Sequence, residues 1–121
     1  MLVVCYPIVI RIDKAGLTSI ALSDGAKPSQ EAFTLDRYIV EGGDLYEIAK
    51  SHVSKHFVVD KSWVECIRQS MWQENNIIHA VYVFSLPWNV KQRSDSNLKF
   101  ASHTEVAEKC SLEDKAILNR M

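Results

Sequence analysis

The stretch that most limits what this chain can become is Leu2–Ile12, LVVCYPIVIRI. Its β-branched residues are stiff at χ1 and suit a pleated strand better than a helix. The longest apolar run within it, Leu2 to Ile10, contains Pro7 and is too short to cross a bilayer. It also lacks the basic leader and small-residue cleavage site of a secretory signal. The stretch therefore reads as a β-strand. Asp13-Lys14-Ala15-Gly16 follows with turn chemistry, and Leu17–Leu22 reads as the returning arm of a hairpin.

Beyond the hairpin, strand and helix patterns alternate. Ser23–Ala32 is polar, with Gly25 and Pro28, and reads as an exposed loop. Phe33–Val40 reads as a short strand that bends near Asp36. Gly42-Gly43 precede Asp44, and Glu47 sits three positions later, a helix-capping pattern. Leu45, Ile48, Ala49, Val53 and Phe57 then recur at helical spacing, which predicts a helix ending near Phe57. Trp63–Trp72 is open to either element. The clear strand Ile77–Leu86, reached through Gln73-Glu74-Asn75-Asn76, favours a hairpin and so a strand. Pro87 ends that strand, Asn89–Asn97 is polar, and Leu98–Ala101 is short and strand-like. Ser102 with Glu105, and Ser111 with Asp114, predict two short C-terminal helices. This order predicts one α/β or α+β domain over residues 1–121, built on a mixed sheet.

Charge and cysteine content narrow the partners. Lysine plus arginine is 14 and aspartate plus glutamate is 15, for a net charge of −1. That is no basic footprint, so neither nucleic acid nor an anionic membrane surface is an expected partner. Cys5, Cys66 and Cys110 are far apart, odd in number and without metal-binding spacing. They read as reduced intracellular thiols, and the expected compartment is the cytoplasm.

Several segments together resemble the Nudix hydrolases. Phe33-Thr34-Leu35 resembles that family's aromatic-Thr-Leu segment, and Val40-Glu41-Gly42-Gly43-Asp44 resembles its acidic glycine loop. With one residue missing before it, Ser51–Val59 falls on the helix of the Nudix box. Lys99-Phe100-Ala101 with Glu105-Val106 resembles the later aromatic strand and the step after it. The resemblance implies a Nudix-like α/β/α sandwich with a mixed β-sheet. It also exposes departures. The family's Pro-Gly-Gly falls on Asp36-Arg37-Tyr38, and its Arg-Glu-x-x-Glu-Glu falls on Ser51-His52-Val53-Ser54-Lys55-His56. Family chemistry holds a diphosphate through Mg²⁺, a hard ion that prefers oxygen ligands and activates the attacking water. Imidazoles are poor substitutes for those carboxylates, and Lys55 repels the ion.

The resemblance thus implies a degenerate Nudix box and no cofactor. The expected function is binding of a nucleotide-like small molecule, or a protein interaction. The expected pocket uses Phe33, Tyr38 and Trp88, with His52 and His56 at the former metal positions. Because His52 and His56 are four apart on one helix, they are also candidates for a softer ion such as Zn²⁺, Mn²⁺ or Ni²⁺, with Glu47 or Asp60 as third ligand. Against that stands a plainer reading, two polar histidines partly exposed on a helix rim. A second class is an active pyrophosphohydrolase of nucleoside diphosphate derivatives, using Mg²⁺ or Mn²⁺ on Glu41, Asp44 and Glu47. The plainer reading of those acids is helix capping and compensation of the helix dipole. A third class is a homodimer formed through a sheet edge or aromatic patch. Cys66 has no base nearby in sequence, His79 reads as a satisfied strand histidine, and His103 as a surface residue.

Overall fold

In the computed structural model, residues 2–24 and 33–120 are described. The opening run forms β1, Leu2–Ile12, and pairs in parallel along its whole length with β6, Ile77–Pro87. The other edge of β1 is shared. Val9–Ile12 pairs antiparallel with β2, Thr18–Asp24, and Val3–Cys5 pairs antiparallel with β4, Tyr38–Val40. β3, Phe33–Thr34, and β7, Leu98–Ala101, both pair with β2. β5, Glu65–Glu74, pairs antiparallel with β6 and ends the path β3-β2-β1-β6-β5.

Side chains on a strand alternate between faces, so a strand covered on both sides must be apolar at nearly every position. β1 shows this: Val4, Tyr6 and Ile8 enter one core, while Cys5 and Val9 enter the other. On β6, Val81 and Val83 join the first core, and Ala80, Tyr82, Phe84 and Leu86 the second. The first core is closed by Cys110, Ile117 and Leu118 from the C-terminal segment, which carries α2, His103–Lys109, and α3, Leu112–Leu118. The second is closed by Ala49, Val53 and Phe57 at the long helix α1, Leu45–His56. The result is a mixed sheet between helices.

Asp44 caps α1 by accepting from the backbone N–H groups of Tyr46 and Glu47. Ser102 and Glu105 form a full capping box on α2, and Ser111 accepts from the Asp114 N–H at α3. Phe33–Val40 is broken at Leu35–Arg37 into β3 and β4, so Asp36 lies at the bend. Two sequence expectations need correction. Ser23 is a buried residue of β2 rather than the start of an exposed loop; the rest of that expected loop, from Gly25, lies outside the described residues. His52 and His56 are buried at 3% and 6% exposure, not on a helix rim. No helix among the described residues is long and apolar enough to cross a membrane.

Candidate functional site

Spacing on α1 selects the buried face. Ala49, His52, Val53 and His56 follow the i, i+3, i+4, i+7 pattern and all point inward. Ala49 and Val53 reach the sheet. His52 and His56 meet the β3–β4 bend. The two rings lie 4.6 Å apart, centroid to centroid. His52 Nδ1 is 2.7 Å from the Tyr38 hydroxyl, and its Nε2 is 3.8 Å from Asp36 Oδ2. His56 Nδ1 is 2.8 Å from Ser96 Oγ, in the loop after β6. Ser23 donates a short hydrogen bond to Asp36 Oδ1.

Electrostatics follow from burial. Desolvation, then the nearby His56, push the His52 pKa down to about 4; Asp36 opposes the shift and Lys55 adds to it. Burial is also the main cause that lowers His56. Both imidazoles are therefore neutral at neutral pH. Burial raises the Tyr38 phenol, so it stays a hydrogen-bonding hydroxyl.

Two clefts flank this cluster and share Tyr38 and Lys55. One, of about 430 Å³, runs along α1 past Gly43, Asp44, Glu47, Ile48, Ser51 and His52. The other, of about 330 Å³, opens on Asp36 and His56 between Arg37, Lys55, Asp95 and Asn97.

The remaining sequence candidates fall elsewhere. Phe33 is buried in the core on the α3 side of the sheet and does not line either cleft. Trp88 is half exposed, lies under the Lys14 ammonium at 4.2 Å, and borders a separate cleft with Arg11 and Asp13. The pocket expected to join Phe33, Tyr38, His52, His56 and Trp88 is thus reduced to Tyr38 and the histidines. Glu41 is exposed. Glu47 pairs with Lys61 at 3.1 Å. Asp60 caps a 3₁₀ turn at Lys61–Trp63, and the Ser62 N–H and hydroxyl hold its carboxyl below its usual range. Neither Glu47 nor Asp60 is the acid beside the histidines; Asp36 is. Cys66 Sγ faces the Arg68 carbonyl at 3.4 Å, and burial raises the Cys5 thiol to about 11, which leaves it unreactive. His79 is satisfied by the Tyr6 hydroxyl at 2.9 Å and stacks on Trp72; His103 is exposed.

No model of a known protein family matches the sequence, and no curated protein matches it. Solved structures do. A C. elegans Ap4A hydrolase in a binary complex superposes with a TM-score of 0.67 at 12% identity, covering 99% of this chain and 94% of that one. The NUDIX domain of Shewanella oneidensis NrtR, complexed with ADP ribose, gives 0.57 at 8% identity, over 99% and 85%. The fold is that of the Nudix hydrolases. The C-terminal domain of mouse MUTYH, in complex with human PCNA, is similar too, at 0.69 and 9% identity over 99% and 86%.

The Nudix fold implies a Mg²⁺ site, and among the described residues the inward-facing donors of α1 do not fit one. Mg²⁺ wants several oxygens in near-octahedral array. The inward face of α1 offers two imidazoles, nitrogen donors that suit this ion poorly. Asp44 and Glu47 line the larger cleft, where the first caps α1 and the second pairs with Lys61.

Proposed function

We propose that this Nudix-fold domain binds a nucleotide-like small molecule without Mg²⁺-dependent pyrophosphate hydrolysis. The observation that carries the reading is the chemistry of α1: where the sequence resemblance expects carboxylates, the helix bears His52, Lys55 and His56. Tyr38 and Ile48 offer an aromatic ring and an apolar wall for a base. Lys55 offers a cation for phosphate oxygens at the mouth of the smaller cleft. The ADP ribose of the NrtR domain and the Ap4A hydrolase name are consistent with such a ligand class.

The test is a panel of nucleoside diphosphate derivatives, with and without Mg²⁺ or Mn²⁺, read by melting temperature and by phosphate release. The expected result is a stabilised chain, by mass action, with no turnover. Lys55→Ala reduces the shift, and Glu47→Gln leaves it intact. Metal-dependent turnover that vanishes in Glu47→Gln would instead establish the active hydrolase using Glu41, Asp44 and Glu47.

A further inference from the structure

Asp36, His52 and His56 are, among the described residues, the one group of three His, Cys, Asp or Glu side chains whose potential ligand atoms lie close together. These atoms all fall within 4.8 Å of one another. Both histidines are buried, and Asp36 is partly exposed at the bend between two strands. We propose that these three side chains form a first-row transition-metal site, with Zn²⁺ as the favoured ion.

Donor chemistry supports the ion. Two neutral imidazoles and one carboxylate suit Zn²⁺, Co²⁺ or Ni²⁺ and disfavour Mg²⁺ and Ca²⁺, which take oxygen ligands. The surroundings of each donor match what metal ligands require. A ligating histidine has its second ring nitrogen fixed by a hydrogen bond, which orients the ring. His52 Nδ1 is held by the Tyr38 hydroxyl and His56 Nδ1 by Ser96 Oγ. Ser96 is itself held by Gln92 Nε2 at 3.0 Å and the Leu98 N–H at 3.2 Å. Asp36 Oδ1 is bound by Ser23, leaving Oδ2 toward His52 Nε2 at 3.8 Å.

Geometry supports the number of ligands. Bonds of about 2.0–2.1 Å in a tetrahedral site place donors roughly 3.3 Å apart. Separations of up to 4.8 Å close to that value by shifts of up to about 1.5 Å, shared between the partly exposed Asp36 side chain on its bend and the two rings. On binding, His56 carries its proton on Nδ1, and Ser96 Oγ accepts it in place of the Gln92 amide, which keeps the Leu98 carbonyl at 2.6 Å. Three protein ligands leave a fourth position. Asp36 and His56 line the smaller cleft, where the Lys55 ammonium favours water or an anion as the fourth ligand. This inference stands apart from the nucleotide reading, since the three donors precede any organic ligand.

The experiment titrates the chelator-stripped full chain with Zn²⁺ against a chromophoric chelator, and separately with Co²⁺. One equivalent binds per chain with micromolar or tighter affinity, and millimolar Mg²⁺ does not displace it. Co²⁺ gives visible d–d bands without a thiolate charge-transfer band, which excludes the cysteines. Asp36→Asn keeps the side chain's shape and weakens Zn²⁺ at least tenfold while circular dichroism stays native. His56→Gln does the same. Absence of stoichiometric binding by the folded wild-type chain overturns the proposal. So does unchanged affinity in Asp36→Asn, or a thiolate band with Co²⁺.

Discussion

His52 is the residue whose environment departs most from what its side chain prefers in water. It is 3% exposed, and its ring faces Asp36, Tyr38, Lys55 and His56. Burial holds its pKa at about 4, against 6.5 for an exposed histidine. In the unfolded chain it takes up a proton near pH 6.5 that the native state refuses. Stability is therefore full above that range and falls as pH drops from about 6.5 toward 4. Each unit is about 1.4 kcal/mol, so the loss reaches on the order of 3 kcal/mol. Urea unfolding of metal-free protein between pH 7.5 and 4.5 measures it. The slope shrinks in His52→Gln; a wild-type profile flat from pH 7 to 5 would mean that the ring is not held neutral. Two histidines four apart were legible in the sequence as a pair on one face. Their burial was not, because helical periodicity counts a histidine as polar and cannot register a hydroxyl waiting on another element.

At the scale of elements, local chemistry does most of the work. The caps at Asp44, Ser102 and Ser111 lie where their spacing predicts. The ambiguous Trp63–Trp72 segment resolves into β5, and its ambiguity has a cause. Cys66 pairs with Phe84 and Arg68 with Val83, so Ile67 is an extra residue in a bulge. The bulge interrupts the two-residue alternation, so Cys66 packs against the core on the α1 side and Trp72 against the opposite core. The hairpin from β5 to β6 turns on Asn75 and Asn76, both left-handed at φ 53° and 62°. Asparagine tolerates this region better than other side chains, and paired positive φ suits the right-handed twist of a hairpin. Replacing both by alanine costs about 1 kcal/mol each, seen as a lower urea midpoint. Asn76→Gly holds or raises the midpoint. No loss in the alanine pair would show that the turn relaxes to another form.

At the scale of the whole molecule, one contact ties the C-terminal helix to the bend that carries Asp36. Asp114 on α3 is buried, accepts from the Leu35 N–H at 3.0 Å, and makes a short ion pair with Arg37. Leu35 and Arg37 flank Asp36 in the chain, so α3 on one side of the sheet steadies a residue facing α1 on the other. Asp114→Ala strands a buried N–H and removes the partner of a partly exposed guanidinium, costing about 2–3 kcal/mol. Asp114→Asn, which still accepts from Leu35, loses less. Chemical denaturation of both variants checks the order, and equal losses would mean that the charge, not the hydrogen bond, carries the tie.

The amino-acid sequence by itself determined the long strands β1 and β6, the caps, the bend near Asp36 and the placing of His52 and His56 on one face of α1. Each of these is written in contacts between neighbours along the chain, where periods of two and 3.6 residues apply. Only the tertiary structure decided that Asp36, rather than Glu47 or Asp60, meets the two imidazoles. It also sent Phe33 to the opposite core and Trp88 to a separate cleft. Those outcomes depend on which face of the sheet each strand residue takes once β1 has paired with β2, β4 and β6. That choice is set by burying apolar surface on both sides at once, which no local spacing encodes.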